Sequence, residues 1–140
     1  PTIRVENEFY FERGSETIVV SGKKLDDEFE VMIDNFFTKF LGVKLNPFLV
    51  GFLHELGHFW TKRVYKLDNE FFEKEMEEKS IIEAMSKFEV KSYEEILEEY
   101  YKVSSERMAN DFIKLVLKSK PEVVKKYNSI FNEIDAESRY

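Results

Sequence analysis

Both histidines of this 140-residue chain lie in one short segment, His54-Glu55-Leu56-Gly57-His58. The segment belongs to an apolar run that begins at Asn46-Pro47 and continues to about Lys66. Because Asn is a good helix N-cap and Pro fits the first helical position, this run predicts a helix of about five turns. Residues four apart on a helix lie one above the other, so both imidazoles must point from one face. The fold must place that face against other parts of the chain.

The rest of this helix is apolar and predicts burial in the core. The apolar residues at helical spacing are Leu49, Phe52, Leu53, Leu56, Phe59, Trp60 and Val64. Gly51 and Gly57 lie inside the same helix, where each costs about 1 kcal/mol relative to Ala. Such a cost is reasonable where a substrate or a neighbouring helix approaches closely, and tight packing without chemistry explains the glycines equally well.

Two imidazoles on one helical turn, with a glutamate directly after the first, form a pattern that binds zinc. Glu55 lies about 100 degrees around the helix from His54, near a metal but not bound to it, where it can accept a proton from metal-activated water. The alternative is a pair of core histidines with hydrogen-bond partners. Since this placement arises by chance in roughly two chains per thousand, we favour His54 and His58 as metal ligands and Glu55 as the general base.

A catalytic zinc site has three protein ligands and one open position. The chain contains no third histidine and no cysteine, so the third ligand must be Asp, Glu or Tyr. Residues 70–99 contain many Glu residues, but most of these are expected to lie on a solvated helix face. Glu106 is a better candidate, because it opens a helix with apolar residues behind it, and Asn110 lies one turn on, able to bond the ligand or its helix neighbour. The alternative is a first-turn glutamate favoured only by the helix dipole.

Residues 54–58 and 106–112 resemble two segments of the ImmA/IrrE family of gluzincin metallopeptidases. The matching residues are HELGH at 54–58 and E-x-x-A-N-x-F at Glu106, Ala109, Asn110 and Phe112. The resemblance implies a zinc ion bound by His54, His58 and Glu106. It also implies that Glu55 is the general base. Members of the family often belong to mobile elements or to stress regulation, where they cleave repressor proteins.

The remaining sequence predicts a small β element followed by five or six helices. The segments IRV, FYFE and TIVV are rich in β-branched and aromatic residues, and Gly14-Ser15 between the last two predicts a hairpin. The helices are predicted from Asp26 to Gly42, from Asn46 to about Lys66, from after Asp68 to about Phe88, from Ser92 to about Lys102, from a cap at Ser104 or Ser105 to Lys118, and from Pro121. We expect an α+β fold: one predominantly helical, zincin-like domain over residues 1–140. The hairpin ends at Ser21-Gly22 and is expected to lie beside the active-site helix.

Two parts of this fold have alternative uses. The FYFE or TIVV strand can pair with an extended peptide by strand addition, or it can be a plain structural hairpin. The acidic helices between His58 and Glu106 carry a broken apolar stripe, which can pack as core or cover the cleft. Tyr100 or Tyr101 can assist the transition state, but the seven tyrosines of the chain give no means of choosing between them.

Composition narrows the class of protein. Apolar residues make up 43% of the chain. The net charge is -7 and no Lys/Arg-rich block is present, so nucleic acid is not an expected partner. The N-terminus has no apolar signal region and no run is long enough for a membrane span, so we expect a cytoplasmic protein without a membrane partner. The predicted function is a zinc-dependent peptidase acting on a protein or peptide. The competing class is a non-catalytic, metal-stabilised protein-interaction module.

Overall fold

The computed structural model describes residues 2–6, 10–21, 28–87 and 92–137. In these residues a small sheet precedes six helices, which confirms the coarse α+β prediction. The elements are β1 (Thr2–Glu6), β2 (Tyr10–Glu12), β3 (Thr17–Ser21), α1 (Glu28–Leu41), α2 (Pro47–Tyr65), α3 (Asn69–Lys87), α4 (Tyr93–Tyr100), α5 (Ser104–Ser119) and α6 (Pro121–Glu137). The predicted boundaries at Gly22, Asp26 and Phe88 lie outside the described residues.

The sheet has the strand order β1-β3-β2. β2 pairs antiparallel with β3 across the predicted turn, and β1 pairs in parallel with the other side of β3. Ile18 and Val19 of β3 are fully buried. The prediction that the TIVV strand offers an edge to a peptide is therefore wrong for Thr17–Val19, which is paired on both sides. In the described part of the chain, β2 lies at one end of the sheet.

Both ends of α2 are fixed by the residues that the sequence indicates. The side chain of Asn46 accepts a hydrogen bond from a first-turn backbone N–H at 2.9 Å, and Lys66 ends the helix in the left-handed conformation. Helix α6 holds this start in place. Asn128 Oδ1 accepts from the Asn46 backbone N–H at 2.6 Å, and Asn132 Oδ1 accepts from its side-chain amide at 3.0 Å.

The main core lies where α1, α2, α5 and α6 meet. Its buried residues are Phe37, Leu45, Leu49, Val50, Leu53, Ile113 and Val124. The predicted apolar face of α2 does not remain buried to its end, because Val64 is 51% exposed. The apolar stripe expected on α3 is also incomplete, since Met76 and Ile81 are 60% and 62% exposed. Among the helices described, none combines the length and apolarity that a membrane span requires.

Helices α2 and α5 are in close contact at Gly57. A Cβ atom built on Gly57 would lie 2.8 Å from the backbone oxygen of Ala109 and 2.9 Å from its Cα. Such distances are shorter than van der Waals contact, and backbone atoms cannot turn away as a flexible side chain can. The glycine is therefore required by a neighbouring helix, one of the explanations that the sequence left open.

We predict that Gly57→Ala destabilises the protein by about 1–3 kcal/mol, because α5 must move away from α2. This sign is diagnostic, since alanine by itself favours a helix by about 1 kcal/mol over glycine. The matched control is Gly14→Ala, where an added Cβ meets nothing within 4 Å, with an expected effect within about 0.5 kcal/mol. Urea denaturation of the metal-free proteins measures both, and a more stable Gly57→Ala variant would contradict the close-contact explanation.

Candidate metal centre

Helix α2 presents the two imidazoles as the four-residue spacing predicts. The ring centroids of His54 and His58 are 4.7 Å apart and the rings are nearly perpendicular. Their Nε2 atoms face each other at 3.1 Å. At this separation one nitrogen donates a hydrogen to the other, or a cation lies between the two lone pairs.

Glu106, from the first turn of α5, completes the group. Its Oε2 lies 2.7 Å from His54 Nε2 and 3.1 Å from His58 Nε2. Ligands that surround zinc tetrahedrally at 2.0–2.1 Å are separated from each other by about 3.3 Å. Movements of a few tenths of an ångström would reach that spacing. The three predicted ligands therefore form a largely buried group that is compatible with one metal ion.

Asn110 lies one turn further along α5 and fixes the orientation of His54. Its Oδ1 is 2.7 Å from His54 Nδ1, and because a carbonyl oxygen can only accept, Nδ1 carries the hydrogen. In the neutral ring, Nε2 then has its lone pair directed toward Glu106 and His58. This is the tautomer that a metal ligand needs, and it places Asn110 in the supporting position that the sequence suggested.

The second oxygen of Glu106 has different neighbours. Lys79 Nζ of α3 donates to Oε1 at 3.0 Å, and the Tyr100 hydroxyl at the end of α4 donates to it at 3.1 Å. Lys79 was not predicted from the sequence. It lies in α3, for which the sequence indicated a solvated face and an apolar stripe that packs as core or covers the cleft. Sequence reasoning named Tyr100 only as one of two tyrosines. No sequence signal marks Lys79, because its partner is 27 residues away and in another helix.

The electrostatics of the group favour a cation beside Glu106. Burial raises the pKa of Glu106, but hydrogen bonding and positive charge at His54 and His58 together hold that pKa well below its usual range. For His54, burial lowers the pKa, and the hydrogen bond and charge of Glu106 raise it by more, so its pKa lies above the usual value. The carboxylate is therefore ionised and stabilises positive charge on the imidazole side, whether a proton or a metal ion supplies it.

Glu55 is also buried, and it directly follows His54 on α2. Burial raises its pKa, the charges of His54 and His58 lower it, and the net result is a raised pKa. Its charge also contributes to the raised pKa values of Tyr100 and Tyr101, after burial and the charge of Glu106. Glu55 therefore lies within electrostatic reach of both histidines and the tyrosine pair, although it belongs to none of the close donor contacts around Glu106.

Tyr101 packs against the imidazole of His54. Its ring lies 6.0 Å from the His54 ring, 4.7 Å from Phe36 and 5.4 Å from Phe37, measured between centroids. Burial is the main cause that raises the pKa of Tyr101, so the phenol stays protonated. The structure separates the two tyrosines that sequence alone could not distinguish: Tyr100 contacts the Glu106 carboxylate, and Tyr101 packs against the His54 ring.

The start of α5 is capped by a residue from another helix. The predicted caps Ser104 and Ser105 do not act as side-chain acceptors, since the N-cap position is Val103 and makes no side-chain cap bond. Instead, Glu75 of α3 accepts a hydrogen bond from the Ser105 backbone N–H at 2.7 Å and another from the Ser105 hydroxyl. Glu75 is buried, so it is an exception to the solvated face expected for residues 70–99.

Comparison of the chain with models of protein families, with curated proteins and with solved structures gave no match. The resemblance to ImmA/IrrE peptidases and the zincin-like fold therefore remain predictions. The chemistry of the site has to be inferred from its own donor atoms, distances and burial.

We predict that Glu75→Ala lowers the free energy of unfolding by about 1–3 kcal/mol, because it removes the acceptor from two Ser105 donors at a buried helix start. Glu77→Ala on the exposed side of α3 is the matched control, with an expected change within about 0.5 kcal/mol. Urea denaturation in the presence of a chelator measures both without a contribution from bound metal. Equal effects of the two substitutions would remove Glu75 from the capping role.

Proposed function

We propose that this protein is a zinc-dependent peptidase with a zincin-like fold. The observation that carries the proposal is the convergence of three donor atoms, Nε2 of His54, Nε2 of His58 and Oε2 of Glu106, within 3.1 Å of one another in a largely buried group. The buried Glu55 directly follows the first of them in sequence.

Zinc is the metal that this donor set fits best. Two neutral imidazoles and one carboxylate are the ligand set of a known class of catalytic zinc sites, and the set leaves one position open. When bound, zinc would polarise a peptide carbonyl and lower the pKa of water. On the resemblance of the two segments to the ImmA/IrrE family, we extend the proposal to membership of the gluzincins and to that family's association with mobile elements.

Glu55 is the residue that we assign to proton transfer. A general base works best when its pKa lies near the working pH, and burial moves the pKa of Glu55 upward from its ordinary value. Its carboxylate would accept the proton of the attacking water and then pass it to the leaving amine. Asn110 and Tyr101 act indirectly, since they orient His54.

A protein or peptide in extended conformation is the substrate that the surroundings of α2 suit. β2 lies against α2, where Phe11 contacts Phe59 edge to face at 6.1 Å and Lys62 donates to the backbone oxygen of Arg13 at 2.8 Å. An extended chain could add to the outer side of β2 by main-chain hydrogen bonds. The β3 strand is already paired along Thr17–Val19, so the peptide-binding proposal now rests on β2.

The competing function is a non-catalytic module in which a metal only stabilises the fold. Such a site would be closed by a fourth protein ligand. In the described residues, the group of His, Asp and Glu donors close enough to share one ion consists of His54, His58 and Glu106. A set of three donors supports the enzyme over the module.

We expect the purified protein to bind about one zinc ion per chain and His58→Ala to abolish this binding, since two donors are too few. Glu106→Ala should weaken zinc binding by orders of magnitude, whereas Asn110→Ala should weaken it by only about 10- to 100-fold. Chelator competition with metal analysis measures all three variants. Wild-type affinity in Glu106→Ala would move the third ligand elsewhere, and undiminished zinc in His58→Ala would end the metal-site proposal.

A separate variant tests the chemistry. Glu55→Gln should keep zinc but reduce peptide hydrolysis by about 10²- to 10⁴-fold or more, because an amide cannot accept the proton. The measurement is cleavage of a peptide library by the zinc-loaded proteins, with metal content determined on the same samples. Equal cleavage by Glu55→Gln and wild type would exclude Glu55 from catalysis, and no cleavage by a zinc-loaded wild type would favour the binding module.

A further inference from the structure

The two oxygens of the Glu106 carboxylate have unlike surroundings. Oε2 faces the imidazoles of His54 and His58, while Oε1 faces Lys79 and Tyr100. The side chain of Glu106 is only 5% exposed, so water contributes little to fixing its rotation. What decides which oxygen reaches the imidazoles is the set of donors on the opposite side.

Lys79 and Tyr100 form a joint support for Oε1. Each is in hydrogen-bond contact with that oxygen, and the Lys79 ammonium also lies 5.1 Å from the centre of the Tyr100 ring, within cation–π range. They come from α3 and α4, which carry none of the three ligands. One of the two bonds joins an ammonium to a carboxylate, and such charge-assisted bonds are roughly twice as strong as neutral ones.

This support matters because a carboxylate can bind a metal through one oxygen or through both. Binding through both would use a coordination position that a catalytic site must leave open. To bind in that way, Glu106 would have to turn Oε1 toward the imidazoles and break its bonds to both Lys79 and Tyr100, one of which is charge-assisted. The geometry therefore opposes two-oxygen binding.

We propose that Lys79 and Tyr100 are positioning residues that hold Glu106 as a one-oxygen ligand and so keep the fourth coordination position open for the substrate. The positive charge of Lys79 also offsets the negative charge that Glu106 brings to the site. This inference rests on the metal-binding part of the proposed function and does not require that the protein be a peptidase.

The test uses the cobalt(II)-substituted full chain and its visible absorption. Four-coordinate cobalt(II) absorbs more strongly than five-coordinate and much more strongly than six-coordinate cobalt(II), because metal d and p orbitals mix most strongly in a tetrahedral site. The variants are Lys79→Met, Tyr100→Phe and the two combined, which remove the donors and keep the side-chain size. The matched control combines Lys74→Met, at a 73% exposed site on the same helix, with Tyr127→Phe, at a residue that is 48% exposed on α6.

We expect a strong four-coordinate spectrum for wild type and for the control. The Lys79→Met/Tyr100→Phe variant should lose intensity several-fold as Glu106 binds through both oxygens, and each single variant should lose part of it. Cobalt content and far-UV circular dichroism are measured on every sample. If the combined variant does not fold, the single variants decide, and wild-type spectra in both would overturn the proposal.

The outcomes separate this inference from the proposed function. Unchanged spectra in folded, cobalt-loaded variants overturn the positioning role alone. A wild-type spectrum typical of five- or six-coordinate cobalt(II) does the same. The expected loss of intensity, together with no peptide cleavage by zinc-loaded wild type, leaves the positioning role in place and overturns the peptidase. A wild-type chain that binds neither cobalt nor zinc overturns both.

Discussion

The contact between α2 and α5 at Gly57 is the constraint on which the site depends. On α2, residues 54, 57 and 58 lie on one face, and on α5 residues 106, 109 and 110 do the same, with matching spacings of three and four. In each set a small residue lies between polar ones. Because Gly57 has no side chain, the backbone of Ala109 comes close enough for Glu106 and Asn110 to reach the histidines directly. Larger residues at this contact would separate the Glu106 carboxylate from the two imidazoles.

Charge balance follows from this burial. Glu55 and Glu106 are negative when ionised, Lys79 is positive, and the two imidazoles are neutral in the form that binds metal. The formal sum is -1 without a metal ion and +1 with a divalent one, so a cation can be accommodated without burying a large excess of either sign. Lys79 is important in this balance, because it brings a permanent positive charge into contact with the Glu106 carboxylate.

The parts of the site that could be predicted from sequence are those encoded within a single helix. The positions of His54 and His58 follow from helical periodicity, and the ends of α2 follow from Asn46, Pro47 and the residues near Lys66. The choice of Glu106 needed more, namely an apolar face behind a first-turn glutamate and an Asn one turn later. The parallel pairing of β1 with β3 could not be predicted, since nothing in five residues of strand specifies which partner they join. The contact that requires Gly57 was foreseen as one option, but its partner on α5 was not.

The contribution of α3 was missed for a physical reason. Its hydrophobic pattern predicts an apolar inner face, yet Met76 and Ile81 are exposed, and the residues that face α5 are Glu75 and Lys79, one helical turn apart. Polar contacts of this kind leave no periodic signal in the sequence, because a glutamate or lysine on a helix usually faces water. Here Glu75 bonds Ser105 and Lys79 bonds Glu106, so neighbouring residues of α5 are held by consecutive turns of α3. The position of the Glu106 carboxylate is therefore coupled to the docking of α3, although α3 supplies none of the three donors. His54 and His58 are placed by the periodicity of one helix, whereas Glu106 depends on tertiary structure.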